Sequence, residues 1–233
     1  MIRLVRIAAF AICAALSSPL TAQDFDDALD AKLAVDHTTA LEIWRPLAEG
    51  GDADAQYKLA GLYANAEELL QNDVEAVRWY RLAAEQGLAL AQYELGVMYD
   101  LGLGQPQDYV EAVRWYRLAA EQGVVLAQYY LGLSNAAGQG LPRNLVKAAY
   151  WFRRAAEQGV AGAQFNLGTG YYNGSGVPQS YILAYMWLHI ATANGANSAA
   201  ALEIAAEQMT RDQITEARAL ARVCVSSGYQ DCG

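Results

Sequence analysis

The chain has 233 residues, with 16 basic and 25 acidic side chains, a formal charge of −9 and 54% hydrophobic residues. That acidity argues against binding to nucleic acid or to anionic membrane surfaces, because both need basic patches. Two histidines and three cysteines leave little material for a zinc site or for histidine-based catalysis.

Arg3 and Arg6 open the chain, and Ile7 to Leu16 form an uninterrupted apolar run. Ser17, Ser18 and Pro19 break that run, and Leu20-Thr21-Ala22 leads into polar Gln23. This order is that of a secretory signal peptide over 1–22, cut after Ala22. Ten apolar residues span about 15 Å as a helix, roughly half a bilayer core, so no stable membrane anchor is expected. Ile12 stands before Cys13 where a lipoprotein needs a small residue. The mature chain is therefore expected in the periplasm or secreted. Cys224 and Cys232 remain in it, either bridged across a short loop or as two thiols in a frayed tail. An even count in an oxidising compartment favours the bridge.

The region 23–50 reads as N-terminal capping helices, with a leading helix over Asp24 to Val35. From there the chain repeats. Glycines fall at Gly51, Gly87, Gly123, Gly159 and Gly195, and tryptophans at Trp79, Trp115, Trp151 and Trp187, all 36 apart. The sequence EAVRWYRLAAEQG is identical at 75–87 and 111–123. Trp44 lies one residue out of phase, so the first copy, which also contains Pro46, reads as one residue short. The repeats are expected to fill 51–207, as about four full units and a partial one.

Each unit reads as two helices. The first carries Ala55, Tyr57, Leu59 and Tyr63, repeated as Ala91, Tyr93, Leu95 and Tyr99, a stripe at helical spacing. The second carries Ala76, Trp79, Tyr80, Ala83 and Ala84. Asn72, Asp108, Asn144 and Ser180 share one repeat position, and each can cap the second helix. Asn72-x-x-Glu75 and Asp108-x-x-Glu111 fit a capping box. The glycine of AAEQG closes that helix in the left-handed conformation. Gly102 and Gly104, Gly138 and Gly140, and Gly174 and Gly176 read as turns, not as a phosphate loop, since no Lys-Ser or Lys-Thr follows. The segment 208–233 forms a C-terminal cap and tail, where Thr210-x-x-Gln213 opens a last helix through Val223.

The pattern A-x-x-x-L-G-x-x-Y, then G-x-G, then A-x-x-W-x-x-x-A-A-E-Q-G resembles the Sel-one-like repeat family, a relative of the tetratricopeptide repeat. The tetratricopeptide period is about 34, which separates the two. The resemblance covers roughly 36–207 and implies an all-α fold, a right-handed α-solenoid of antiparallel helix pairs. Asn135 departs from the expected Tyr, and the turn near Glu67 lacks glycines.

Catalytic groups do not converge. His37 and His189 lie far apart in the sequence, and His189 takes the repeat position of Arg81, Arg117 and Arg153, which reads as a surface site. A cysteine-rich branch of the family is associated with β-lactam binding or hydrolysis. It carries cysteine pairs in successive repeats, and none occur here. An enzyme or small-molecule binder of that kind is the alternative reading. No catalytic residue, metal ligand or cofactor is assigned. Arg81–Glu85, Arg117–Glu121 and Arg153–Glu157, with Glu75–Arg78 and Glu111–Arg114, read as ion pairs on a solvated outer face.

The resemblance places the first helix of each unit on the concave side. Its varying positions are the candidates for partner contact: Leu90, Glu94 and Val97; Leu126, Tyr130 and Leu133, with Tyr129 beside them; Gly162, Asn166 and Thr169. The expected function is that of an exported, non-catalytic adaptor or regulator whose partner is another envelope or extracellular protein or peptide.

Overall fold

The second helix of each unit starts where an oxygen-bearing side chain can take up a free amide. In the computed structural model, which describes residues 37–65 and 72–232, Asn72 accepts from the Glu75 amide, Asp108 from Val110 and Glu111, Asn144 from Lys147 and Ser180 from Leu183. At the other end Gly87 adopts φ +94, and the next amide turns back to the carbonyl of Ala83. This left-handed closure passes the chain directly into the next helix.

The described residues form eleven helices and no strand: α1 (His37–Glu49), α2 (Ala53–Asn65), α3 (Asp73–Glu85), α4 (Ala89–Leu101), α5 (Tyr109–Glu121), α6 (Val125–Ala137), α7 (Leu145–Ala156), α8 (Ala161–Asn173), α9 (Tyr181–Ala193), α10 (Ala199–Glu207) and α11 (Arg211–Ser226). From α1 to α10 each helix packs on the next, so the described residues form an all-α solenoid of antiparallel pairs. We call α2, α4, α6 and α8 the A helices and α3, α5, α7 and α9 the B helices. The leading helix expected over Asp24 to Val35, the signal region and the turn near Glu67 lie outside the described residues.

Within a pair the helices sit close because the A helix carries glycine at the crossing. A β-carbon on Gly96 would lie 2.7 Å from the Tyr116 ring, and one on Gly132 would lie 2.6 Å from Phe152. Buried alanines such as Ala91, Ala112 and Ala119 complete the contact, while Leu95, Trp79, Trp115 and Tyr116 fill the remaining volume.

A buried glutamine locks successive pairs. Gln56, Gln92, Gln128 and Gln164 occupy one repeat position and are all buried. Each Nε2 donates to a carbonyl near the C-terminus of the preceding helix, at Ala48, Ala84, Ala120 and Ala156. Each Oε1 then accepts an amide N–H from the end of its own B helix, from Gln86, Gln122, Gln158 and Asn194, at 2.8 to 2.9 Å. Each of these carbonyls also takes the backbone amide of the closing glycine, Gly51, Gly87, Gly123 or Gly159, so the glutamine amide supplies a second donor where the regular helix bonding ends.

Several expectations change. Trp44 is not out of phase through a missing residue. Arg45, Ala48 and Gly51 stand 36 before Arg81, Ala84 and Gly87, so Trp44 occupies the place of Tyr80, buried against α2. The glutamates of the expected capping boxes turn away from their caps: Glu75 pairs with Arg78 and Glu111 with Arg114, each at 3.1 Å. The pairing Arg81–Glu85 gives way to a longer reach, with Arg81 donating to Tyr99 Oη and Gln105 Oε1 on the far side of the pair junction. Arg45 and Arg153 likewise donate to Tyr63 and Tyr171. Asn135 breaks that series. It is buried and bonds its own helix at Leu131, and Arg117 stays exposed.

The end of the solenoid is closed by α11, which packs on α9 and starts from a complete Thr210–Gln213 capping box. It runs to Ser226, beyond the expected Val223. Cys224 and Cys232 form a disulfide. It fixes the tail so that Tyr229 Oη accepts from Asn194, the last rung of the glutamine ladder.

Replacing Gln128 by Ala removes its bonds to the Ala120 carbonyl and the Gln158 amide and leaves a cavity in a buried site, which is expected to cost about 2–4 kcal/mol in urea unfolding. The same change at exposed Gln139 should stay within about 0.5 kcal/mol; equal effects at both sites would remove the ladder from the account. Replacing both Cys224 and Cys232 by Ser should lower stability by about 2–3 kcal/mol, read by the same unfolding curves.

Candidate partner-binding face

On each A helix the partly open residues form a stripe at i, i+3, i+4 and i+7. On α4 these are Leu90, Tyr93, Glu94 and Val97, and on α6 they are Leu126, Tyr129, Tyr130 and Leu133. Leu90 and Leu126 are 49% and 46% exposed at the start of the stripe. The others are half-buried.

The structure brings the central residues together through rings. Tyr130 of α6 reaches back to stack on Tyr116, centroids 5.4 Å apart, and meets Tyr93 at 6.1 Å. Tyr129 touches Tyr130 at 5.7 Å and Phe152 at 6.1 Å. It also bonds Asn166, and its Oη lies where a β-carbon of Gly162 would stand at 2.8 Å. Tyr93 and Tyr116 form the counterpart of the Tyr129–Phe152 contact one unit earlier, at 6.2 Å, and Tyr57 and Tyr80 two units earlier, at 5.8 Å. The rings thus join α4 and α6 into one tyrosine-lined face.

Other candidates sit deeper or point inward. Val97 and Leu133 are partly buried against core clusters, Val97 against the middle one and Leu133 against the C-terminal one. Thr169 returns its hydroxyl to the Phe165 carbonyl of its own helix. Tyr57 and Tyr93 belong to the face but not to the residues picked from sequence, because their recurrence every 36 residues suggested core alone. Tyr80 and Tyr116, on the B helices, are buried behind them as that recurrence implies.

Burial and neighbouring charge push the phenols up. Tyr80, Tyr93 and Tyr116 are held well above the ordinary range, mainly by burial, with smaller contributions from Glu94, Tyr130 and Asp100 respectively. Tyr57 and Tyr129 move the same way. These groups keep their protons at neutral pH and so act as flat rings and hydrogen-bonding hydroxyls rather than as bases or nucleophiles. Glu94 is also raised, by burial. Among the described residues no group of histidine, cysteine, aspartate and glutamate is placed to hold a metal, and no helix is long and apolar enough to cross a membrane.

His189 is not a surface site as its register suggested. It is half-buried and stacks on Tyr185 at 6.0 Å, because the last helix covers α9 and Arg218 bonds the Tyr185 hydroxyl. Burial, then the Arg218 charge, hold its imidazole below the usual range.

Glu94 yields a pH prediction. A raised folded pKa favours folding below the unfolded value and loses that advantage as pH rises through the folded value. Ionised Glu94 therefore costs stability at pH 7. Glu94→Gln should raise the melting temperature at pH 7, and the gap should close near pH ~3.5, where both side chains are neutral. A variant that melts lower at pH 7 would contradict the assignment.

The comparisons with known proteins follow the same lines. The Sel1 repeat model matches 53–88, 89–124, 125–160 and 161–195, each one A and B pair. A protective antigen of uropathogenic Escherichia coli strains, c5321, which displays an SLR fold, is 36% identical with a TM-score of 0.76 over 84% of this chain and 43% of its own. A Sel1 repeat protein from Oxalobacter formigenes is 36% identical with a TM-score of 0.65 over 73% of this chain and 49% of its own. The chain thus spans less than half of either. No curated protein shows significant similarity. With four matched units in register with four helix pairs, the chain belongs to the Sel1 repeat family.

Proposed function

We propose that this protein is an exported, non-catalytic adaptor or regulator that binds a protein or peptide partner along its A-helix face. The observation that carries the reading is the band of half-buried tyrosines, Tyr57, Tyr93, Tyr129 and Tyr130, edged by exposed Leu90 and Leu126. Tyrosine offers large rigid contact area and a hydroxyl at small entropic cost, and it is enriched where partners bind tightly. Sel1 repeat chains serve in general as protein-interaction scaffolds. The glutamine ladder holds this one stiff, so a partner meets a preformed surface.

Export is supported by the basic, apolar and small-residue order of 1–22 and by the Cys224–Cys232 disulfide, a bond suited to an oxidising compartment. Similarity to a protective antigen is in keeping with it. The partner is then an envelope or extracellular protein.

The test is an affinity capture with the tagged chain, cross-linked in the envelope fraction of its own organism. Leu90→Glu with Leu126→Glu is the informative variant, because both side chains lie outside the core and the fold should keep its circular dichroism. One dominant protein captured by the natural chain and lost with the variant is expected. Equal capture by both would move the contact off this face, and enrichment of no protein would count against an adaptor.

A further inference from the structure

Glu94 is the feature of the A-helix face that packing does not explain. It occupies the register position of Lys58, Tyr130 and Asn166, so the repeat does not require a carboxylate there. One unit on, Tyr130 in that position packs against Tyr93 and Tyr116 at 6.1 and 5.4 Å, whose counterparts beside Glu94 are Tyr57 and Tyr80. The Glu94 charge acts on Tyr57 and Tyr80, and on its chain neighbour Tyr93. Tyr93 in turn meets Tyr116 at 6.2 Å and Tyr130 at 6.1 Å.

The nearby cations of the repeats are engaged elsewhere. Arg81 bonds Tyr99 and Gln105, Arg45 bonds Tyr63, and Arg78 and Arg114 pair with Glu75 and Glu111. Lys58 lies over the Trp44 ring at 6.0 Å. Among the described residues no salt bridge reaches Glu94. A half-buried carboxylate without a counter-charge, framed by aromatic faces, is complementary to one kind of group. Ring faces attract cations, and the carboxylate supplies a charge-assisted hydrogen bond. The acidity of the whole chain, at −9, favours the encounter with a basic partner.

We propose that the partner segment is basic: an extended peptide lays an arginine or lysine on Glu94, with its cationic head against the half-buried rings of Tyr57, Tyr93 and Tyr130. This rests on the adaptor reading above and names its partner class.

The experiment selects random dodecapeptides displayed on phage against the full chain, and measures the winning peptide by fluorescence anisotropy. Arginine or lysine should be enriched. Glu94→Gln should weaken the winner about tenfold at ~50 mM salt, less at higher salt, with an unchanged circular dichroism spectrum. Glu94→Lys should select acidic peptides instead. Basic winners that bind Glu94→Gln as tightly as the natural chain would overturn the proposal. So would neutral or acidic winners; if these still need Leu90 and Leu126, the adaptor reading stands without it. Failure to select any peptide would remove both.

Discussion

A helix that ends inside a protein leaves carbonyls that nothing in the helix can satisfy, and burying one bare costs about 1–3 kcal/mol. In this solenoid every B helix ends against the next A helix, so the problem recurs at each junction. The closing glycine returns its amide to one of these carbonyls, and the side-chain amide of one glutamine per unit adds a second bond to it from the next helix. Gln92 donates to the Ala84 carbonyl and accepts from Gln122, which itself donates to the Gly87 carbonyl. Two side chains thereby tie three helices and the turn at Gly87 at one point. The step from unit to unit is thereby fixed in distance and rotation, and the glycine crossings at Gly96 and Gly132 set how close the pair can come. At the last junction Asn194 replaces the glutamine, and Tyr229 fills the space beside it. The Cys224–Cys232 bond holds Tyr229 there.

Much of this was legible because a repeat shows its own invariants. Asn72, Asp108, Asn144 and Ser180 differ in chemistry but share the ability to cap, and their common register named the helix start. Gly87 and its counterparts named its end. Invariance does not say which direction a side chain takes, and there the sequence reading fell short. Tyr93 recurs as Tyr57 and Tyr129, which suggested core, yet it lies half-buried on the A-helix face with Tyr116 behind it. Arg81 has a glutamate at i+4, a spacing that pairs on an isolated helix. A tyrosine hydroxyl on the next helix, at 2.8 Å in a partly buried site, takes the guanidinium instead. Trp44 misled by its identity: matching tryptophan to tryptophan shifts the frame, while matching Arg45, Ala48 and Gly51 to their counterparts keeps it.

The A-helix face and the ladder lie on different sides of the same helices, and this separation bears on function. Residues that fix the junction, Gln92 and Leu95, are buried and repeat. The position that reads Lys58, Glu94, Tyr130 and Asn166 varies through charge, ring and amide without disturbing any junction. Glu94 is the member of that set whose ionisation opposes folding, since burial raises its pKa. Glutamine would fit the same space without the charge. A scaffold selected for stability alone has no reason to keep the carboxylate, whereas a surface that must recognise a cation does, and sites of recognition are where proteins commonly give up stability.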